Sequence, residues 1–471
     1  MSQAVDVLGV MLVVASGIGI SRRWCNDRLL ILPIGTLIGV GTQMAATTIS
    51  VIAGLNRPAV AGFIAVVVLA LVSVPQEFRR PTANTFVVLV VAGTVIRALA
   101  SPYTYLRHVD SVNYMIISGL LSRSSDDLVA EVNPLQLKKR LFGTPTMHSL
   151  QSFTDTPMSI LLGPWIGLMT LLTLTAIVWR LGGRGRRSGI LAMAATLALA
   201  SSSRFLMNVT YLNSHLVVGF AVLLVIGVGA VGAQAQDHHS LVVAVFTAGS
   251  AVMTLARPEG FLLVGVILLG FLMSKHVNSN LRSRLATWAG LAIALSPFSV
   301  LVAFAYRKEA AYDAELAYPV LLGLILVFAA SAITRTTFLT TRLGILALAG
   351  GTIALTTVLI ALKSDLASEM VSNWWGNYVL SGRWGWTILV AAPLAIISAL
   401  LTFRDDRLRL LSTSVLLFPL IGLLTSVLRD SPGRVSDADS FNRMTMHIFP
   451  TLCLAIALGA STIGRQGRHH V

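Results

Sequence analysis

The chain consists of long apolar runs separated by short polar connections. Runs of about 16–25 residues, the length at which a helix crosses about 30 Å of hydrocarbon, predict membrane spans at 4–20, 29–53, 58–75, 84–100, 158–179, 188–202, 215–233, 240–256, 260–274, 285–305, 318–333, 343–362, 386–402, 410–428 and 444–463. The runs are continuous and rich in Leu, Val, Ala and Gly, whereas membrane strands alternate apolar and polar positions. The pattern therefore predicts an all-α, polytopic transmembrane helical bundle of about 12–15 spans.

The longest segment without such a run is the loop 101–157. Within it Asp110 and Tyr114 are four residues apart, and Ile117 continues the same helical stripe. This spacing predicts an amphipathic helix over 110–122 that lies along the membrane interface. Asp110 begins this helix, where a carboxylate caps the first turn and where the helix dipole favours its ionised form.

The composition supports the membrane class, and the charge adds an orientation. Hydrophobic residues make up 55% of the chain and charged residues only 12%, which is more apolar surface than a soluble protein of this size could bury. With the N-terminus outside, the short inner loops hold nineteen of the 35 Lys and Arg residues and five of the 20 Asp and Glu residues. This is the positive-inside distribution. It predicts a multi-pass protein with a cytoplasmic C-terminus, and it explains the net charge of +15 without a nucleic acid partner. The Gly- and Ala-rich, Arg-heavy composition suggests that the membrane is a bacterial inner (plasma) membrane.

The predicted outer loops are longer than the inner ones and carry both signs of charge. The inner loops contain no nucleotide-phosphate loop, no Gly-rich strand-to-helix turn and no soluble domain. An enzyme built this way would act on the outer face of the membrane. It would draw on an energy source other than a soluble nucleotide.

Candidate chemistry in the first outer loop centres on Asp110, a carboxylate able to accept a proton from a sugar or lipid hydroxyl. The alternative interpretation of this aspartate is a plain helix cap. Polar residues that a cap does not require stand beside it: Arg107, His108, Asn113 and Tyr114. His148, near the end of the same loop, would either contact a phosphate or remain a solvated loop histidine.

Three further sets of polar residues stand at predicted membrane boundaries. Arg257 and Glu259 flank a proline between two apolar runs, a costly position unless the pair faces a polar cavity or is neutralised inside the bundle. Arg443 precedes the last run, where it would bind a phosphate by paired hydrogen bonds or extend to lipid headgroups. Lys363 and Arg383 flank a Trp-rich segment, typical of an aromatic belt and also suited to docking a sugar or a polyprenyl phosphate.

Four of these features together resemble the GT-C superfamily, the multi-spanning glycosyltransferases that use polyprenyl-phosphate sugars. They are the first-loop sequence Arg-His-Val-Asp110, the amphipathic helix behind it, the turn Ala-Arg257-Pro-Glu-Gly, and the late helix start Asn-Arg443 with Phe-Pro450. The resemblance covers about residues 84–471 and implies a GT-C-like core in which the loop 101–157 carries the aspartate. Residues 1–83 are then additional N-terminal transmembrane helices.

The resemblance also implies roles for individual residues. In that superfamily the first-loop aspartate is the general base that activates the acceptor hydroxyl, and outer-face basic residues hold the donor phosphate. Asp110 would then be the base, with Arg257 and Arg443 on the phosphate, joined by Lys363 or Arg383. Many members have an acidic pair where this chain has Asp110 and Ser111, so other aspartates of the loop remain alternative bases: Asp126, Asp127 and Asp155.

The function implied is an inverting glycosyltransferase that moves a sugar from a polyprenyl-phosphate donor to a glycan, lipid or protein acceptor of the cell envelope. The expected partners are the lipid bilayer, the polyprenyl-phosphate sugar and the acceptor, with no metal and no cofactor beyond the donor substrate. One alternative is a polysaccharide polymerase or ligase that uses a lipid-linked oligosaccharide. Another is a membrane transporter or flippase, which the scarcity of charge in the middle of the spans disfavours.

Overall fold

A computed structural model of the protein describes residues 2–25, 27–53, 55–73, 109–122, 144–147, 162–210, 213–232, 238–257, 259–294, 338–376, 378, 384–429 and 441–466. Within these residues every regular element is helical and no strand is present. The predicted all-α class is therefore confirmed for the described part of the chain.

Eighteen α-helices are described. In chain order they are α1 Ser2–Trp24, α2 Arg28–Ile52, α3 Pro58–Ser73, α4 Val109–Leu120, α5 Thr144–Met147, α6 Leu162–Leu181, α7 Arg186–Ser201, α8 Ser203–Thr210, α9 His215–Gly232, α10 His239–Ala256, α11 Gly260–Met273, α12 Ser279–Ala294, α13 Arg342–Leu362, α14 Ser364–Trp375, α15 Trp386–Thr402, α16 Arg409–Arg429, α17 Phe441–Met444 and α18 Phe449–Gln466. Single 3-10 turns at Phe338–Thr340 and Thr445–His447 stand before α13 and α18.

Five described helices, α2, α6, α9, α10 and α13, are long and apolar enough to cross a membrane. The pair α7 and α8 adds a sixth if it is one span, although its two parts are bent by 67°. Shorter apolar helices occur in α3, α11, α15, α16 and α18. The described residues therefore fit a multi-pass membrane protein. The predicted spans 84–100 and 318–333 lie outside them, so the total of about 12–15 spans stays a prediction.

Some helix boundaries differ from the predicted ones because local capping decides where a helix starts. α12 begins at Ser279, earlier than predicted, since the Asn278 side chain accepts a hydrogen bond from the backbone N–H of Leu281 at 2.8 Å. α18 begins at Phe449, later than predicted, and Pro450 occupies its first turn, a position that suits proline. The last apolar run therefore gave no sign of the separate short helix α17 and the 3-10 turn after it. Residues of both form part of the site described below.

Helix α9 is the centre of the bundle. Nearly all of its residues are buried, and it packs against α6, α10, α11, α16 and α18. A helix that is apolar on all sides is stable only when protein or lipid surrounds it. Here the described neighbours do so, and the two ends of α9 mark the two ends of the bundle.

One end of the bundle is held by ion pairs between connections. Arg180 near the end of α6 pairs with Asp27, the residue that caps α2. Asp406, between α15 and α16, accepts a hydrogen bond from the backbone N–H of Lys275 at 2.9 Å and pairs with Arg409 at 2.6 Å. We call this end, where α6, α9 and α11 end and α2 and α16 begin, the basic end. The opposite end, where α8 and α10 end and α9, α11 and α18 begin, is the polar end.

The N-terminal helices join the rest of the bundle through α2, which packs against α6 and α10. The indole N–H of Trp165 on α6 donates to the hydroxyl of Thr36 on α2 at 3.0 Å. Within the N-terminal part, glycines bring α1 and α2 into backbone contact: a Cβ at Gly39 would overlap the carbonyl oxygen of Val13. Small residues commonly permit such close approach between membrane helices. The division of the chain at residue 83 stays a prediction.

We expect Gly39→Val to lower the melting temperature of the detergent-solubilised protein. The added side chain meets backbone that cannot move aside, and overpacking of this kind costs about 1–3 kcal/mol. The matched control is Gly350→Ala, because a Cβ at Gly350 meets no heavy atom within 4 Å and Ala is the better helix former. A Gly39→Val protein that melts with the wild type would contradict the close packing of α1 on α2.

Candidate functional site

Buried and partly buried polar side chains gather at the polar end of the bundle. They come from α8, from the start of α9, from the connection between α10 and α11, and from α17 and the turn before α18, so residues far apart in sequence form one group. We define the polar-end cluster as Arg204, His215, Arg257, Glu259, Asn442, Arg443 and His447. Four of these side chains lie within electrostatic range of His215: Arg204, Arg257, Arg443 and His447.

The two histidines meet because α9 contacts the 3-10 turn before α18. A Cβ at Gly219 would overlap the carbonyl oxygen of Met446, so the glycine permits this contact. His447, the next residue, then lies against His215, one helical turn before Gly219 on α9. Nδ1 of His215 and Nε2 of His447 are 2.9 Å apart, and the two rings stack with centroids 5.0 Å apart. Both histidines are buried.

Asn442 is the anchor of the segment that precedes α18. Its side-chain oxygen accepts a hydrogen bond from Nη2 of Arg204 at 2.6 Å. Its carbonyl oxygen accepts a second one from the indole N–H of Trp384 at 2.8 Å, and the Trp384 ring lies edge-on against Phe449. Because Asn442 is held on both sides, the position of the adjacent Arg443 is fixed at the polar end.

Arg257 and Glu259 form an ion pair inside the bundle. Nε of Arg257 donates to Oε1 of Glu259 at 2.9 Å, and the carboxylate is buried. A buried carboxylate requires such a partner, since removal from water is costly for a charge. The pair therefore compensates the buried charge of Glu259 within the bundle.

Neutral polar groups complete the polar end. Burial lowers the pKa of His447 from 6.5 to about 3, with Glu259 raising it and Arg257 lowering it, so this imidazole is neutral at pH 7. The Tyr378 hydroxyl lies 2.9 Å from the Thr445 hydroxyl. Burial raises the pKa of Tyr378 above its usual range, the Thr445 hydrogen bond opposing this, so the phenol is neutral as well. The charge of the site therefore comes from its arginines and its glutamate.

The depressed pKa of His447 predicts an acid-sensitive fold. The unfolded chain binds a proton at this imidazole near pH 6.5, whereas the folded chain binds it only near pH 3. The free energy of unfolding should therefore decrease as the pH falls below 6.5, by at most about 1.4 kcal/mol per pH unit for this group. Thermal melts at several pH values should show a smaller pH dependence for His447→Gln than for the wild type. Equal dependence in the two proteins would contradict the neutral buried imidazole.

The structure brings together three of the residues that the sequence predicted for the site: Arg257, Glu259 and Arg443. Lys363 lies at the junction of α13 and α14, and Tyr114 is buried on α4. The remaining predicted residues lie outside the described residues or have side chains outside them: Arg107, His108, Asp110, Asn113, His148 and Arg383. The same holds for the alternative bases Asp126, Asp127 and Asp155.

The C-terminal end of the helix that begins near Asp110 lies at the polar end. α4 spans Val109–Leu120, so the helix predicted over 110–122 is present and Asp110 stands in its first turn. α4 packs on α5, which packs on α2, and the carbonyl of Leu121 accepts a hydrogen bond from the backbone N–H of Ala59 at 2.9 Å. α2 starts at the basic end and rises about 1.5 Å per residue. The connection from α2 to α3, and the C-terminal end of α4 with it, is therefore at the opposite end of the bundle.

Sequence reasoning assigned no site role to four members of the cluster: Arg204, His215, Asn442 and His447. Asn442 entered only as the neighbour of Arg443 in the motif before the last helix. The available signal was position, since each of these residues stands at the edge of an apolar run, where a polar or ionisable side chain is costly unless it has a function or a partner.

The described residues form a helical bundle with several apolar helices that could span a membrane, compatible with a multi-pass membrane protein, and with an arginine-rich cluster at one end. Within the described residues, no group of three or more His, Cys, Asp or Glu side chains is arranged to hold a metal ion. No family model matches the chain, and neither a curated protein nor a solved structure is similar to it.

Proposed function

We propose that the protein is an integral membrane glycosyltransferase that transfers a sugar, with inversion, from a polyprenyl-phosphate donor to an acceptor of the cell envelope. The observation that carries this proposal is that Arg204, Arg257 and Arg443 all lie within electrostatic range of His215 at the polar end. Arginine side chains bind a phosphate through paired, charge-assisted hydrogen bonds. A lipid phosphate carries a negative charge on a membrane-embedded chain. The cluster lies at the ends of apolar helices, where such a lipid can reach it.

The transfer step requires a base on one side of the sugar and a phosphate site on the other. Asp110 takes the proton of the acceptor hydroxyl, and the oxygen attacks the anomeric carbon as the bond from that carbon to the phosphate oxygen breaks. The bonding electrons leave with the phosphate, whose charge rises from one to two negative units. Arginines stabilise the two negative charges of the departing phosphate more than the single charge of the bound donor. This difference accelerates the reaction. The acceptor is a glycan, a lipid or a protein.

The orientation belongs to the same proposal. The polar end faces the outside of a bacterial plasma membrane and the basic end faces the cytoplasm, where Lys and Arg accumulate in membrane proteins. The N-terminus is then outside and the C-terminus inside. The GT-C-like core is residues 84–471, in which α4 carries Asp110 and α17 carries Arg443.

The proposal is tested by turnover of lipid-linked sugars. Purified protein in nanodiscs receives a panel of radiolabelled polyprenyl-phosphate monosaccharides with a mixed envelope glycan as acceptor. We expect consumption of one donor and release of polyprenyl phosphate. Turnover of a pyrophosphate-linked oligosaccharide instead would establish a polymerase or ligase. Movement of intact donor between leaflets without cleavage would establish a flippase. Either of those results would overturn the transferase.

A further inference from the structure

The connection from α1 to α2 and the connection from α6 to α7 meet at the basic end. Asp27 accepts a hydrogen bond from the backbone N–H of Leu29 at 3.0 Å, and its carboxylate also forms an ion pair with Arg180 on α6. Helices α2 and α6 pack against each other as well. The ion pair therefore places the two connections side by side, and it joins the N-terminal helices to α6 at this end of the bundle.

Exposed arginines surround this ion pair. Residues 22–29 and 179–187 contain seven arginines and one acidic residue, Asp27, which already pairs with Arg180. Five of the arginines are exposed: Arg23, Arg28, Arg184, Arg186 and Arg187. Arg187 donates a hydrogen bond to the carbonyl oxygen of Ala460 at 3.1 Å, which leaves its charge in place. No acidic side chain of the described residues forms an ion pair with any of these five arginines.

Apolar side chains are exposed beside the same arginines. Trp24 follows Arg23 and is 37% exposed, Leu29 follows Arg28 and is 39% exposed, and Trp179 on α6 is 36% exposed. Tryptophan is enriched where membrane helices meet lipid headgroups, because its ring is apolar and its N–H is polar. Arginines together with exposed tryptophans at the ends of apolar helices fit a lipid with an anionic headgroup. An acidic polypeptide would use only the arginines.

The backbone at Arg184 indicates that its side chain has a role. α6 ends in a turn in which the backbone N–H of Arg184 donates to the carbonyl oxygen of Trp179 at 2.9 Å. Gly183 has a φ of 100° and Arg184 a φ of 58°. Glycine adopts this left-handed conformation without cost, whereas a residue with a Cβ does not. Arg184 stands between Gly183 and Gly185, at a position where a third consecutive left-handed or flexible glycine would be less strained. Strained residues of this kind often serve a function.

We propose that these two connections bind one anionic phospholipid. We define the basic-end joint as Arg23, Trp24, Arg28, Trp179, Arg184 and Arg186. The lipid phosphate binds between arginines of the two connections, and its acyl chains lie along the exposed tryptophans. Because the arginines come from both connections, the bound lipid holds the N-terminal helices against α6. The inference goes beyond the proposed function and does not depend on it, since the joint lies at the end of the bundle opposite the polar-end cluster.

Thermal melting of the full-length protein in a neutral detergent measures this binding. The probe is palmitoyl-oleoyl phosphatidylglycerol, and the matched lipid is phosphatidylcholine with the same chains and no net charge. We expect phosphatidylglycerol to raise the melting temperature, because a ligand that binds only the folded protein stabilises it, and we expect a smaller rise at high salt. Native mass spectrometry should show one phosphatidylglycerol retained per chain. Equal effects of the two lipids would overturn the inference.

Arg184→Gly separates lipid binding from the stability of the fold. Without lipid, we expect the variant to melt close to the wild type, because relief of the left-handed backbone offsets the greater freedom of glycine in the unfolded chain. Its affinity for phosphatidylglycerol should be about fivefold lower, the contribution of one arginine near an anionic lipid surface. Arg28→Gln, on the other connection, should show a similar loss. Arg404→Gln removes the same charge from a different connection at the basic end and should bind as the wild type does.

The variants can also contradict the inference. Wild-type affinity in both Arg184→Gly and Arg28→Gln would show that the lipid does not bind at the joint. An equal loss in Arg404→Gln would show that the overall charge of the basic end governs binding. Polyaspartate that raised the melting temperature as much as phosphatidylglycerol does would make the partner an acidic polypeptide. Each of these results would overturn the inference and leave the proposed function as it stands.

Discussion

Replacement of Asp110 by Asn is expected to reduce glycosyl transfer by about 10²–10⁴-fold, the contribution that a positioned general base makes to a rate. Asn cannot take the proton of the acceptor hydroxyl, but its size and its place in the first turn of α4 are unchanged. Binding of the donor should therefore persist while turnover is lost. Single-turnover assays with a labelled donor, combined with donor binding, measure the two effects separately.

A matched control for this variant is Asp365→Asn. Asp365 also stands in the first turn of a helix, α14, and is exposed, so its replacement makes the same change of charge in a similar setting. We expect it to retain full activity. If Asp110→Asn also retained full activity in a well-folded preparation, Asp110 would be a helix cap, and Asp126, Asp127 and Asp155 would become the next candidates for the base.

Replacement of Arg443 by Gln is expected to weaken donor binding by about 10–100-fold. A hydrogen bond to a charged group contributes about 1.5–3 kcal/mol, and Gln keeps hydrogen-bonding capacity without the charge. Arg443 is fixed at the polar end through its neighbour Asn442 but is itself only partly buried, so the fold should tolerate the change. Arg204 and Arg257 are less suitable for this test, since their side chains also bind Asn442 and Glu259.

The control for Arg443→Gln is Arg404→Gln at the basic end. Arg404 is exposed in the connection between α15 and α16, and its replacement removes the same charge from the opposite face of the bundle. We expect unchanged donor affinity for this variant. Equal losses of affinity in the two variants would show that overall charge, rather than the polar-end cluster, governs binding of the lipid phosphate.

Hydropathy was sufficient to predict most of the described helices because apolar length and lipid thickness are directly related. The helices α2, α9 and α10 follow their apolar runs closely. The pattern could not predict α8 or α14, which lie in segments polar enough to read as loops. It also merged α18 with the turn before it, because Met444, Met446 and Ile448 continue the apolar run although the helix begins only at Phe449.

The site was predictable where motif and membrane position coincide. The sequence predicted three site residues from this rule: Arg257, Glu259 and Arg443. A charge at a membrane boundary is costly unless it has a partner or a function. The histidine pair was not predictable, since the contact between His215 and His447 joins residues 232 positions apart and depends on the absence of a side chain at Gly219. Such a contact follows from the packing of α9 against the turn before α18, which hydropathy does not encode.

The most direct test of the account is cryo-electron microscopy of the protein in nanodiscs with a non-hydrolysable polyprenyl-phosphonate sugar. The account predicts density for the phosphonate within hydrogen-bond distance of Arg257 and Arg443 at the polar end, with the sugar directed toward Asp110 on α4. Headgroup density among the arginines of the basic end, or a polar-end cluster that stays closed around its own ion pair in the presence of bound analogue, would contradict it.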